Sequence, residues 1–286
     1  MHCMIKTWNR NELWSALNTP ARLGFKYKSY LHMAIPAKTI NEVLAELDRI
    51  IENTIVENNY LGIFAYIYRR TTAQIKKSII EKQFKDNERM ELMDVAFANL
   101  YLTAYQSYSN NLACSASWEV AFKAKFEKIT IMQHLLLGMN AHINMDLGVA
   151  AATFSPGLSM PALKNDFMKV NQILNDLTNE MQDRISKVSR LMVVLDWMGK
   201  NTDELIINFS MVKAREQAWD FAGILSRTDA AERKSVMEAN DKTIAGLGAI
   251  IKNPPGKLLK WALKFIRYFE DKNVKTIING LEEDQV

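Results

Sequence analysis

Two long stretches of this chain carry almost no charge. Residues 95–118 contain no Asp, Glu, Lys or Arg, and residues 129–163 contain one, Asp146. A surface helix needs charged or polar side chains on its outer face, so both stretches are expected to be central helices, buried on most sides. Prolines fall in only four places, at Pro20, Pro36, Pro156 with Pro161, and Pro254-Pro255, and the spans between them suit long helices. Thr39-Ile40-Asn41-Glu42 has the form of a capping box. After it Ile40, Val43, Leu44, Leu47, Ile50 and Ile51 follow the i, i+3, i+4, i+7 spacing of an amphipathic helix. Asn201-Thr202-Asp203-Glu204 and Asp229-Ala230-Ala231-Glu232 look like two further helix starts. No segment sustains an alternation of apolar and polar residues, so no strand is expected.

The expected fold class is therefore all-α: a single-domain, antiparallel bundle of about ten helices. The spans are near 39–57, 61–82, 88–109, 116–126, 129–152, 161–186, 188–199, 202–226, 230–250 and 257–279. Residues 1–38 read as an irregular extension, 39–253 as the bundle, and 254–286 as a basic amphipathic helix docked on it. With 286 residues, 48% of them hydrophobic, the chain can build a core without disulfides or a structural metal. Cys3 and Cys114 fit no metal or redox spacing, which points to free thiols in a reducing compartment. The start, Met1-His2-Cys3-Met4-Ile5-Lys6, has no apolar core of a signal peptide, so a cytoplasmic location is expected.

Composition narrows the function classes. The net charge of +4 is matched by residues 257–275 alone, with six basic and two acidic side chains, so no broad basic face is left for nucleic acid. A membrane span over 129–163 would bury Gln133, His134, Asn140, His142, Asn144 and Asp146 in lipid, and Asp alone costs about 3 kcal/mol at a bilayer centre. There is no Gly-rich phosphate loop, no G-x-G-x-x-G, no G-x-S-x-G, no CxxC, no HExxH and no D-D-x-x-D. Nucleotide-dependent and thiol mechanisms thus lack support, and no cofactor is expected.

The polar residues inside the second uncharged stretch are the candidate site. At about 100° per residue, His134, Gly138, His142 and Asp146 form one i, i+4 row, with Asn140 and Asn144 on the opposite side. Each buried polar group without a partner costs about 1–3 kcal/mol, and leucine would pack better. One reading is that His142 and Asp146 line a cavity, the carboxylate orienting the imidazole and raising its pKa for acid/base work. A second is metal ligation, with His142, Asp146 and Asp94 or Glu216 as ligands to a divalent ion. A third is a satisfied structural network. Gly138 would leave a notch beside the imidazole, open to a ligand or a backbone.

Several segments resemble a bacterial family of unknown function, number five-nine-nine-five in its series. They are Tyr68-Arg69-Arg70-Thr71-Thr72, Asp94 to Tyr101, Gly138 to Leu147, Asp166 to Asn171, and Ala214-Arg215-Glu216-Gln217-Ala218-Trp219. Asn140-Ala141-His142-Ile143-Asn144 followed by Asp146-Leu147 is the specific part. The resemblance implies a bacterial, single-domain, all-helical protein and no particular activity. This chain has Met145 and Leu100 where relatives often carry His and Arg, and the missing His weakens a metal reading here.

Other groups join the candidate list. Asp94, Tyr101, Tyr105 and Tyr108 share a helix face, and Asn99 lies among them. Tyr68 and Arg69 are further polar candidates. Arg215 and Trp219, four apart, can hold an anionic group or form a cation–π patch. Lys257, Lys260, Lys264 and Arg267 make a basic stripe opposite Leu258, Trp261, Ala262, Phe265, Ile266 and Phe269, a helix for docking on the core or for peripheral membrane contact. The expected function is an enzyme acting on a small, partly hydrophobic molecule, with His142 and Asp146 as the acid/base pair and Asp94 assisting. Asn140, Asn144, Asn99, Tyr101, Arg215, Trp219, Tyr68 and Arg69 would bind substrate. The alternative is a non-catalytic carrier or sensor of a hydrophobic ligand.

Overall fold

A computed structural model of the chain describes residues 36–154, 160–189 and 211–282. The described residues contain eleven α-helices and no strand. They are α1 (Ile40–Glu57), α2 (Leu61–Ile80), α3 (Asn87–Ser109), α4 (Ala116–Lys123), α5 (Ile131–Ala141), α6 (Leu147–Phe154), α7 (Met160–Val188), α8 (Met211–Arg227), α9 (Arg233–Lys252), α10 (Lys257–Phe269) and α11 (Val274–Glu282). The helix expected at 188–199 and the start expected at Asn201 lie outside the described residues, as do most of residues 1–38.

The charge-free helix sits in the middle, as its composition requires. No residue from 130 to 153 is exposed. α5 packs against α2, α4 and α9, and α6 against α8 and α3. The first uncharged stretch is buried over 95–108 but ends in an exposed turn at 109–113, where Asn and Ala serve without charge.

Capping explains several boundaries. Thr39 accepts from the Glu42 amide, while Glu42 reaches past it to the Lys38 amide at 2.6 Å, so only half of the expected box closes on Thr39. A full box stands at Thr130 and Gln133 and starts α5. Asp229 forms a backbone turn rather than a cap, which delays α9 to Arg233. The single helix expected at 257–279 is two. Glu270 takes extended backbone angles and turns inward, where its carboxylate accepts from the Ile131 amide at 2.9 Å. Capping the central helix thus breaks the C-terminal one.

The central helix is not α-helical throughout. His142–Asp146 forms a π-turn, in which the Leu147 amide donates to the His142 carbonyl. The wider turn brings residues four apart more nearly into line than an α-turn does. The row still divides, because eight α-helical residues turn His142 about 80° away from His134 before the π-turn begins. His134 stacks on Tyr60 with centroids 4.6 Å apart, while His142 and Asp146 face a different set of neighbours. Gly138 is not an open notch either: Phe64 fills it, and a Cβ there would lie 2.3 Å from Phe64 Cγ.

This contact makes a prediction. Gly138→Ala should destabilise the fold by about 1–3 kcal/mol through overpacking, read as a lowered denaturation midpoint. Adding Phe64→Leu should cost less than the sum of the two changes; strict additivity would contradict the packing described.

Candidate functional site

An apolar cavity of about 90 Å³ lies between α2, α3, the central helix, α7 and α8. That is room for several waters or a small organic molecule. Its walls are mainly side chains such as Ile67, Ile75, Met90, Met93, Val170 and Leu174. Five polar side chains line it: Tyr68 and Thr71 from α2, Asp94 from α3, His142 from the π-turn and Arg215 from α8; the Thr71 hydroxyl donates to the Ile67 carbonyl of its own helix.

His142 is held on one side only. Its Nδ1 lies 3.1 Å from Asp146 Oδ2, and the same oxygen accepts the Trp118 indole N–H at 2.9 Å. Trp118 is brought there by α4, whose N-terminus is capped by Ser115 and whose first amides donate to Asp241. The imidazole stacks on Phe97, centroids 3.7 Å apart, and meets the rings of Tyr68, Phe64, Tyr101 and Trp118. Its Nε2 is enclosed and has no hydrogen-bond partner among the described residues. Burial lowers the His142 pKa well below its usual value and raises that of Asp146 well above the carboxylate range. The expected raising of the imidazole pKa is thus reversed, because desolvation outweighs the neighbouring carboxyl. The pair is favoured in its uncharged forms.

Asp94 is the group placed to titrate. Its Oδ2 is enclosed without a partner among the described residues. Burial first, and the nearby Glu91 charge second, push its pKa up to about 7. Arg215 is buried, and no carboxylate pairs with it among the described residues. Its guanidinium donates to the Asn171 side chain and, at 2.8 Å, to the Phe167 carbonyl, and lies over the Phe167 ring at 4.5 Å. Burial pulls its pKa down to about 9. The cavity therefore has a titrating acid, a neutral imidazole and a cation with no counter-charge, set in an apolar wall.

The profile of a family of unknown function, DUF5995, matches residues 40–254. The chain belongs to DUF5995. No curated protein and no solved structure matches it. The DUF5995 match covers every cavity residue and leaves out α10 and α11.

Within this DUF5995 chain the remaining candidates face elsewhere. Asn140 donates to the Ile244 carbonyl at 2.9 Å and accepts from Asn144 at 3.0 Å, tying the central helix to α9. Asn99 clasps both the amide and the carbonyl of Ala37, each at 2.9 Å, and so fastens the segment before α1. Arg69 makes a two-pronged pair with Asp48 on α1. Trp219 packs on Phe167, and the ring under the Arg215 guanidinium is Phe167, not Trp219. Glu216 is exposed. Tyr101 is buried in the ring cluster around His142, while Tyr105 and Tyr108 line a separate groove with Cys114. Hydrogen bonding and packing place these residues, although Tyr101 Oη and Asn144 Oδ1 have no hydrogen-bond partner among the described residues. Among the described residues no three His, Cys, Asp or Glu side chains lie close enough to share a metal ion.

Trp118, Phe97 and Phe64 were missed as site residues. The signal for Trp118 was available: a tryptophan in a charge-free stretch needs a buried acceptor for its N–H, and Asp146 is the buried acid of the neighbouring stretch. The signal for Phe97 was its place three residues after Asp94.

The raised Asp94 pKa has a measurable consequence. Such a carboxyl binds its proton more tightly in the folded chain than in the unfolded one, so stability falls as pH rises from the ordinary carboxylate range to about 7. Asp94→Asn removes that loss. It should raise the melting temperature more at about pH 8 than at about pH 5; an equal change at both would refute the assignment.

Proposed function

We propose that the chain is an enzyme that acts on a small, partly hydrophobic molecule by acid/base chemistry in this cavity. The observation that carries the reading is three enclosed polar atoms without a partner among the described residues, Tyr68 Oη, Asp94 Oδ2 and His142 Nε2, on side chains that border one apolar space. A merely structural network would be expected to satisfy all three.

The roles follow from the electrostatics. A pKa of about 7 lets Asp94 both donate and accept a proton near neutral pH, the condition for efficient proton transfer. We assign it that task, ahead of His142. The imidazole, kept neutral by burial, acts as a hydrogen-bonding partner that Asp146 and Trp118 hold in place. Arg215 offers charge to a polar or anionic end of the substrate, and the Met and Ile side chains take its apolar body. Hydrolysis, elimination and cyclisation are each compatible with this set.

A second reading, a carrier of a hydrophobic ligand, draws support from the predominantly apolar wall. Incubating the full chain with a mixed metabolite extract, followed by mass spectrometry, separates the two. The enzyme reading expects a compound consumed and a product formed, with the rate falling at least about 100-fold in Asp94→Asn. A compound retained unchanged by both proteins would establish the carrier and overturn the enzyme. Benzoate, benzyl alcohol and benzylamine test the Arg215 assignment: benzoate should raise the melting temperature most, and equal effects would remove it.

A further inference from the structure

We infer that the outward face of α10 docks on an anionic lipid surface. This rests on the C-terminal helix, outside the family match, and is independent of the cavity reading.

The helix is held to the bundle by one face and bare on the other. Leu259, Ala262, Leu263 and Ile266 are buried. Leu258, Trp261, Phe265, Tyr268 and Phe269 are 37–71% exposed. The four aromatic residues are neighbours rather than scattered residues. Trp261 stacks on Phe265 at 5.5 Å, Phe265 meets Phe269 at 5.0 Å, and Phe269 meets Tyr268 at 5.1 Å. A continuous apolar ladder of this kind marks an interaction surface.

The charge around it identifies the partner. Lys257, Lys260 and Lys264 are exposed on the same helix, Lys272 lies 5.5 Å over the Tyr268 ring, and exposed Lys275 follows on α11. The acids of this region do not balance these five lysines. Glu270 is buried and caps α5, which leaves Asp271 and, at the far end of α11, Glu282 exposed. Arg267 is not part of the surface stripe: it is buried against Tyr60 and lies 3.6 Å from Glu270. Removing Arg267 and Glu270 from solvent leaves a face of tryptophan, tyrosine, phenylalanine and lysine, the side chains that favour the lipid–water boundary. Thirteen residues span about 20 Å, less than the hydrocarbon core, so the helix lies along the surface. No helix among the described residues is long and apolar enough to cross a membrane.

Two other occupants fit less well. A second copy would set the same lysines against each other. Residues 1–35 carry Lys6, Arg10, Arg22, Lys26 and Lys28 against Glu12 alone, so their charge also repels this face.

The test is co-sedimentation of the full chain with vesicles of phosphatidylcholine alone and of phosphatidylcholine mixed equally with phosphatidylglycerol. Binding should be at least about tenfold tighter to the anionic vesicles and should weaken as salt rises. Lys257→Glu with Lys260→Glu and Lys264→Glu should abolish the preference for anionic lipid. Trp261→Ser with Phe265→Ser should lower binding to both kinds of vesicle. All five positions are exposed, so melting curves should match the native chain. No binding, equal binding to both vesicles, or charge-reversed protein binding as well as native would overturn the inference. So would a dimer that Trp261→Ser with Phe265→Ser dissociates, since the face would then belong to a second copy.

Discussion

A helix with no face towards water must satisfy its polar side chains inside the protein, and this structure is arranged around that constraint. The central helix brings Gln133, His134, Asn140, His142, Asn144 and Asp146 into the core. Several of them engage a neighbouring element. Gln133 binds the Ile251 carbonyl, Asn140 the Ile244 carbonyl, and Asp146 the Trp118 indole. Two surrounding helices, α9 and α4, are thus positioned by hydrogen bonds that apolar side chains would not supply. His134 Nε2, Asn144 Oδ1 and His142 Nε2 find no hydrogen-bond partner among the described residues, and of these three His142 is the one whose side chain borders the cavity. His142 Nδ1 is matched and Nε2 is not.

Desolvation then decides which groups can do proton chemistry. Five aromatic rings surround the imidazole, and a charge there loses its hydration without a compensating ion. The Asp146 carboxyl has the same problem, eased by the Trp118 N–H. A proton between them therefore costs least when neither side is charged. Asp94 is also enclosed, but its pKa rises only to about 7, so both of its states are populated near neutrality. The less perturbed carboxyl is the better proton-transfer group, although the histidine is the more conspicuous residue in the sequence.

What the sequence disclosed follows from what kind of physics each feature obeys. Helical class and the burial of 129–152 were legible, because charge patterning answers directly to solvent. The convergence of Tyr68, Asp94, His142 and Arg215 on one cavity is a tertiary fact, and only their residue types hinted at it. The π-turn was invisible to an even wheel, since one extra residue per turn leaves no mark on composition. Asn99, Asn140, Asn144 and Arg69 were reasonable ligand candidates, because a side chain that will bind a backbone carbonyl has the same chemistry as one that will bind a substrate. Only the partner distinguishes them, and the partner of Asn99 is Ala37, 62 residues away.

The break after α10 shows how one such requirement can shape a distant surface. Ile131 opens the central helix, and its amide has no intrahelical acceptor. Glu270 meets it, with Arg267 beside the carboxylate. Glu270, four residues after Ile266 and seven after Leu263, follows the buried side of α10, and Arg267 within α10 is buried against Tyr60. Drawing both inward removes an acid and the largest cation from the exterior together. What remains outside is the aromatic ladder with its lysine rim. The interior demand of one helix end thereby sets the composition of the exterior of another, and a substitution at Glu270 should be felt in both.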